Sequence, residues 1–306
     1  MISRLTERKL VQEIQLPSRG VRYNGKIPDG RIKIAGVNSE VEEAMSGMSD
    51  APEARFNTYI EMCSDLQAGD PTFNHFDLLL SDRHFMAFRI RALTYGPKYS
   101  FQHQCGSCRK PFPFEVNIDE IPVRALEPED TEPFMCSLPL TGKQLGLRSL
   151  RGRDERDIIN FVSQQVQRGA KFRGDPAFKY RLALCVVSVD GDINRSLRER
   201  MQLVGSWEGP DLLAVKDALD ESDCGYEMTA QVVCQHCGAW DSDVSIPLSA
   251  DFFRPRRAPR NVLPGHPEGA VRLDVRDGDS LGDAGADAHG GTEPVDRVPQ
   301  RKKAGG

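Results

Sequence analysis

The chain has 306 residues, of which 39% are hydrophobic and 28% charged, and its formal net charge is −5 at pH 7. This length permits a full core and two domains, or one domain with insertions, while a mildly acidic chain has no overall attraction for nucleic acid or anionic lipid. No apolar run approaches the roughly 20 residues that span a bilayer, and Met1 to Leu16 lacks a signal segment, so we expect a protein that stays in the cytoplasm that makes it.

Short β segments and turns are predicted first, from Gln12 to Ile34, where Pro and Gly residues separate pairs of strand-forming residues. A short helix is predicted to begin at Asn38 or Ser39, because Ser39 and Glu42 stand at capping-box spacing, and to end at Gly47. Two longer helices are predicted over residues 52–67 and 76–93, the second one followed by a Tyr-Gly-Pro stop.

The middle of the chain is predicted to be mixed. Strands are expected near residues 133–138 and 144–150, and helices over residues 154–167, 177–188, 196–204 and 212–219, with Pro210 in a first helical turn. The last segment, Pro255 to Gly306, has no aromatic residue and is rich in Gly, Pro, Asp and Arg. Such a segment buries too little apolar surface to offset its ordering entropy, so it is predicted to be disordered.

The most specific signal is a pair of Cys-x-x-Cys motifs, Cys105 with Cys108 and Cys234 with Cys237. Alternating apolar residues flank both motifs, which predicts that each motif sits at the tip of a two-stranded hairpin. Two such turns supply four thiolates for a tetrahedral zinc site, and Gly238 suits a turn that needs positive φ. We therefore predict a closed, structural zinc site with these four cysteines as ligands, rather than four ordinary buried thiols.

The two motifs are separated by 125 residues, far more than the roughly 15 to 20 of an ordinary zinc ribbon. The predicted fold is therefore α+β: a zinc ribbon made of two distant hairpins with a mainly helical insertion. The expected organisation has four parts. They are an N-terminal β and helical region (1–97), a zinc-ribbon domain (98–254), a subdomain inserted into it (about 130–221) and a disordered tail (255–306).

No catalytic motif is found among the remaining residues. The other cysteines, Cys63, Cys136, Cys185 and Cys224, have no partner at ligand spacing, and His103 and His236 are favoured as strand-face and turn-tip residues over zinc ligands. The sequence has no HExxH pair, phosphate loop or GxSxG elbow. We therefore predict a protein that is not an enzyme.

Several elements resemble the baseplate proteins of T-even-type contractile-tail phages, the hub subunit and hub assembly proteins. They occur in the family's order: LPSRGVRY (Leu16 to Tyr23), LLLSDRHFMAFRIRALTYGPKYSF (Leu78 to Phe101), the first cysteine pair, LRGRDE (Leu150 to Glu155), VDG (Val189 to Gly191), the second cysteine pair and FFRP (Phe252 to Pro255). The resemblance implies a structural or assembly component of a phage or prophage baseplate hub, made in the host cytoplasm and then either retained in the virion tail or released after assembly.

The same resemblance implies that the partners are other hub or tail proteins, with no nucleic acid, small-molecule substrate or membrane insertion. The residues that it carries over are Pro17, Arg19, Gly20, Asp82, Arg89, Arg91, Tyr95 and Gly96. For most of them a structural role is favoured, with the glycines as turn formers and Asp82 paired with Arg89 or Arg91.

Two other classes of function stay open. Zinc ribbons are frequent in nucleic-acid-binding and transcription-associated proteins, but the negative net charge and the lack of a dense basic and aromatic surface argue against that class. A glycan-cleaving enzyme would need a carboxylate pair in a cleft, which a sequence cannot show.

Overall fold

Helices and small antiparallel sheets alternate along the chain in a computed structural model, which describes residues 5, 8–48, 52–66, 72–248 and 250–253. The helices are α1 (Ser39–Ser46), α2 (Pro52–Met62), α3 (Leu80–Tyr95), α4 (Gly152–Gln167), α5 (Phe178–Cys185), α6 (Leu197–Gly205), α7 (Gly209–Glu221) and α8 (Ala250–Phe253). The strands are β1 (Val11–Gln15), β2 (Arg31–Ala35), β3 (Lys98–Gln104), β4 (Pro111–Asn117), β5 (Val123–Arg124), β6 (Phe134–Ser137), β7 (Gln144–Leu147), β8 (Val186–Val189), β9 (Gly225–Tyr226), β10 (Thr229–Val233) and β11 (Trp240–Ser245). The mixed fold class predicted from the sequence is thus confirmed.

Five small sheets organise these strands. Four are two-stranded, pairing β1 with β2, β3 with β4, β5 with β9 and β10 with β11, and the fifth has the order β6-β7-β8. The β5–β9 pair joins the chain before the β6–β7 segment to the chain after α7, through Val123 with Tyr226 and Arg124 with Gly225. The segment between β5 and β9 therefore leaves and re-enters the fold at neighbouring points.

The first helices follow the predicted capping chemistry with small shifts. Asn38, not Ser39, caps α1, because its side chain accepts the N–H of Val41 at 3.1 Å. Helix α2 ends at Met62 rather than near residue 67, since Ser64 forms a β-bridge with Ile34 of β2. Helix α3 begins at Leu80 instead of residue 76, after a turn in which Asp77 accepts the N–H of Asn74 at 2.9 Å.

One helix prediction is wrong in its second half. Residues 177–188 were expected to be one helix, but α5 ends at Cys185 and Val186–Val189 forms β8. The β-branched valines favour extended backbone, and strand β7 offers them a hydrogen-bonding edge, with Leu145 opposite Val189. The other predicted helices are confirmed with shifted ends, and Pro210 lies in the first turn of α7.

The apolar residues gather into separate clusters. The largest joins residues from two stretches of sequence, 14–126 and 224–253, and includes the side chains of both cysteine-bearing hairpins. A second cluster is built from β6, β7, β8, α5, α6 and α7, and a third is centred on Ile158 of α4 and Leu184 of α5. Both smaller clusters lie in the sequence between the two cysteine motifs.

The predicted disordered tail, residues 255–306, lies outside the described residues. Within the described ranges, no helix is both long and apolar enough to cross a membrane.

Candidate metal centre

The four predicted cysteines come together at the tips of two hairpins. Cys105 and Cys108 lie in the turn between β3 and β4, and Cys234 and Cys237 in the turn between β10 and β11. Their sulfur atoms all lie within 4.8 Å of one another. Among the described residues no other group of three or more His, Cys, Asp or Glu side chains is assembled in this way.

The two turns are close copies of each other in their backbone hydrogen bonds. The N–H of Arg109 donates to the carbonyl of Cys105, and the N–H of Gly238 donates to the carbonyl of Cys234, both at 2.9 Å. Arg109 and Gly238 hold the same position after the second cysteine, with φ of 58° and 71°. The predicted positive φ of Gly238 is confirmed, and its counterpart Arg109 adopts a conformation that glycine would adopt more easily.

Backbone N–H groups point at sulfur in each turn. The N–H of Cys108 lies 3.5 Å from the sulfur of Cys105, and the N–H of His236 lies 3.4 Å from the sulfur of Cys234. The first of these groups, reinforced by the N–H of Ser107, lowers the pKa of the Cys105 thiol to about 6. Cys105 is therefore prepared to act as a thiolate, the form that binds metal.

The opposite shift at Cys237 shows the cost of gathering four sulfurs. The N–H of Ala239 favours the Cys237 thiolate, but lost hydration and the three neighbouring sulfurs outweigh it and raise the pKa of this thiol to about 11. Four neighbouring thiols cannot all ionise at neutral pH unless a bound cation offsets their negative charges.

The sulfur spacing suits a tetrahedral metal. Cys105 and Cys237 have their sulfurs 3.8 Å apart, and Cys108 and Cys234 have theirs 3.7 Å apart. A tetrahedron with metal–sulfur bonds of 2.3 Å has edges of about 3.8 Å. A disulfide would need sulfurs at about 2 Å, and all four cysteines are free.

The two nearby histidines are not part of the sulfur cluster. The His236 ring lies 3.2 Å from the carbonyl of Pro111, and the His103 ring lies 3.5 Å from the carboxylate of Asp241. Both contacts link one hairpin to the other. These histidines therefore support the approach of the two hairpins from outside the cluster.

The residues of the LPSRG element lie in a tight turn that packs on α3. Gly20 has φ of 78°, and a Cβ there would come within 2.9 Å of the backbone nitrogen of Gly30, so the turn requires glycine. The carbonyl of Pro17 accepts the N–H of Leu126 at 2.9 Å, and Arg19 forms an exposed salt bridge to Glu127 at 2.8 Å. These residues tie the turn to the segment that follows β5.

Asp82 is fully buried and binds this turn rather than an arginine. Its carboxylate accepts the N–H of Ser18 at 3.1 Å and the hydroxyl of Tyr23, and that hydroxyl in turn accepts the N–H of Leu79 at 3.0 Å. Burial raises the pKa of Asp82 to about 6 and that of Tyr23 well above its usual range. The predicted pairing of Asp82 with Arg89 or Arg91 is therefore wrong.

Both arginines have other partners. Arg89 pairs with Asp119 at 2.5 Å, and Arg91 donates to the carbonyl of Lys98 at 3.1 Å while its guanidinium lies 4.7 Å from the Tyr99 ring centre. Tyr95 donates to Glu42 at 2.8 Å, and Gly96, with φ of 89°, ends α3. The predicted turn role of Gly96 is confirmed.

Sequence reasoning missed a buried arginine of α3 that contacts the start of α4. Arg83 is 0% exposed, and its guanidinium donates to Glu155 at 3.0 Å and to Asn57. Gly152 makes room for it, since a Cβ on Gly152 would lie 2.9 Å from the Arg83 Cζ atom. The LRGRDE motif contains both Gly152 and Glu155, and was a signal that could have found this contact.

Comparison with known proteins supports the predicted resemblance. A family model described as T4 bacteriophage base plate protein matches residues 21–134, which is less than half of the chain. Neither the curated proteins nor the solved structures give a match. The matched segment contains α3 and the first cysteine pair, and excludes the second pair and the LRGRDE motif. The resemblance to the T4-type baseplate proteins is therefore confirmed over residues 21–134.

Proposed function

We propose that the chain is a structural or assembly component of a contractile-tail baseplate hub, which acts by binding other tail proteins and without enzymatic turnover. The family match over residues 21–134 carries this proposal. On this view the protein is made in the cytoplasm of a bacterial host and either enters the virion tail or leaves after assembly.

The second part of the proposal is a structural zinc ion held by Cys105, Cys108, Cys234 and Cys237. The sulfur spacing of 3.7 and 3.8 Å and the low pKa of the Cys105 thiol support it. Thiolate is a ligand that zinc favours, and four thiolates leave no open position for water or substrate. Bound zinc would thus supply a cross-link and charge neutralisation.

The cross-link would act on two hairpins that are far apart in the sequence. Because 125 residues separate the two cysteine pairs, we propose that zinc fixes the entry and exit of an insertion spanning about residues 130–221. The two smaller apolar clusters lie inside that span, and the β5–β9 pairing lies just outside it. Metal binding to such a site contributes on the order of 10 kcal/mol, which becomes folding free energy.

We propose that the residues around the centre hold the two hairpins in position. The contacts of His236 with Pro111 and of His103 with Asp241 would keep the hairpins in register, and a fixed pair of hairpins would present a rigid surface to a partner. Trp240, opposite Val233 across β10 and β11, is 67% exposed on this surface. Exposed tryptophan on a rigid support is typical of residues that dominate binding energy in protein interfaces.

Native mass spectrometry would test both parts together. The protein is co-expressed with the tail proteins encoded beside its gene, and bound zinc and co-purifying chains are counted in the same spectrum. The proposal expects one zinc per chain and a tail protein as partner. Loss of zinc in Cys105→Ser, with zinc retained in the matched buried-thiol control Cys136→Ser, would assign the ligands.

Other outcomes would contradict one part or the other. Protein that carries no zinc when purified without chelator would overturn the metal centre. Zinc-loaded protein that binds duplex DNA or RNA, and none of the tail proteins, would favour a nucleic-acid-binding ribbon over a baseplate component.

A further inference from the structure

A cavity of about 340 Å³ lies between helix α3, helix α5 and the chain that follows α7. Its volume falls within the range of ordinary small-ligand sites, and such sites often occur where separate cores meet. Here the largest apolar cluster supplies one wall and the smaller clusters supply another. Most of its lining is apolar, with the side chains of Leu80, Leu150, Leu182, Leu219, Tyr226 and Met228.

One carboxylate lines this apolar space. Among the described residues that line the cavity, Asp223 is the only acidic one. One of its carboxylate oxygens accepts the N–H of Cys224 at 2.9 Å. Within the described part of the chain it forms no salt bridge. The residue is exposed on one side, but its carboxyl group is enclosed enough that lost hydration raises its pKa.

The other titratable groups around the cavity are either neutral or already paired. Arg181 is held by Asp175 at 2.8 Å. Burial and the nearby charge of Arg83 lower the pKa of His84 to about 4, so its ring is uncharged at neutral pH. Arg22, whose charge acts on Asp223, is already bonded to Ser149 at 2.6 Å and lies 3.8 Å from Glu132.

We propose that this cavity binds an alkylammonium group, a short aliphatic chain that ends in a protonated amine, as the side chain of lysine does. The chain lies against the leucine and methionine side chains, where water gains few hydrogen bonds. The amine reaches Asp223 at the mouth, where it forms an ion pair with the carboxylate. The group can come from a free aliphatic amine or from a lysine side chain of another protein. This inference does not depend on the zinc centre or on the baseplate assignment.

The test compares three probes of equal length and different charge: hexylammonium, hexanol and hexanoate. Binding to the full chain is followed by NMR of methionine methyl groups labelled with ¹³C, and the Met228 signal is identified from its loss in Met228→Leu. We expect hexylammonium to shift the Met228 signal and to bind at least tenfold tighter than the other two probes. Equal binding of hexanol, or no shift at Met228, would overturn the proposal.

Matched variants separate the carboxylate from general electrostatics. Asp223→Asn should remove the preference for hexylammonium, and Asp223→Glu should keep it. Asp217→Asn removes the same charge from the exposed face of α7 and should leave the preference unchanged. If Asp217→Asn and Asp223→Asn weaken binding equally, the amine responds only to net charge and the site is not as proposed.

A second pair of probes identifies the source of the group. Acetyl-Gly-Lys-Gly-amide is compared with the same peptide acetylated on the lysine Nζ atom. Binding of the unmodified peptide that depends on Asp223 supports a lysine side chain of a partner as the occupant. Binding of hexylammonium alone, with the same dependence, supports a free amine, whereas failure of both probes overturns the proposal.

Discussion

Replacing Gly152 with alanine should destabilise the protein through the buried Arg83. Gly152 is the first residue of α4, and a Cβ there would lie 2.9 Å from the Arg83 Cζ atom and 3.0 Å from the Cα atom of Phe76. Backbone cannot move away, so the guanidinium must shift. Arg83, whose own side chain has no access to water, would then weaken its bonds to Glu155 and Asn57.

The size of this effect follows from the contacts that are lost. Overpacking costs about 1–3 kcal/mol, and weakening a hydrogen bond to a buried charge adds about 1.5–3 kcal/mol. Alanine recovers up to about 1 kcal/mol over glycine in a helix. We therefore expect a net loss of about 3 kcal/mol in unfolding free energy, or about 6–12 °C in Tm for a folded body of this size.

Thermal and urea unfolding measured by circular dichroism would test this prediction. Gly209→Ala is the matched control, since Gly209 is also the first residue of its helix and a Cβ there meets no atom within 4 Å. The control should be neutral or slightly stabilising. If Gly152→Ala unfolds at the same temperature as Gly209→Ala, the proposed role of Gly152 in seating Arg83 is wrong.

Three further predictions concern Asp82, its hydrogen-bond partner Tyr23 and the metal. The folded-state pKa of Asp82, about 6, is above its unfolded value, so the protonated side chain stabilises the fold and this stabilisation should be lost as pH rises from 4 to 6. In urea titrations over this pH range, Asp82→Asn should lose about 3 kcal/mol less unfolding free energy than the wild type. Tyr23→Phe should lower the unfolding free energy by about 2 kcal/mol at pH 7, because it leaves Asp82 and the N–H of Leu79 without their hydroxyl partner. The control is Tyr95→Phe, which removes an exposed hydroxyl and should cost under about 1 kcal/mol in the same assay. A chelator should lower Tm of wild type and leave that of Cys105→Ser unchanged in paired melts, and equal losses in both proteins would argue against the cysteine site.

The candidate metal site could be predicted from the sequence because its information is local. A Cys-x-x-Cys turn needs only a few neighbouring residues, and the alternating strands on each side specify the hairpin. The 125 residues between the turns did not prevent this prediction. Each Cys-x-x-Cys pair supplies only two of four ligands, so the presence of one pair predicts that the other completes the site. Gly238 could be assigned for the same reason, while the matching conformation of Arg109 could not, because arginine gives no signal for positive φ.

Contacts between distant segments were harder to predict. Asp82 and the arginines of α3 are close in sequence, which suggested a salt bridge, yet the fold places Ser18 and Tyr23 against Asp82 instead. The same limit applies to Val186–Val189, whose strand exists because β7 lies beside it. Secondary-structure propensity depends on a residue and its neighbours in sequence. The partner of Asp82 and the strand at Val186–Val189 depend instead on which turn or strand edge the rest of the fold places beside them.

The measurement that tests the central claim most directly is X-ray absorption at the zinc edge of the purified full chain. The account predicts one zinc per chain surrounded by four sulfur atoms at about 2.3 Å, with no nitrogen or oxygen neighbour. A first shell that contains nitrogen or oxygen would mean that a histidine, a carboxylate or water replaces a cysteine. Either that result or a chain without zinc would contradict a closed four-cysteine centre holding the two hairpins together.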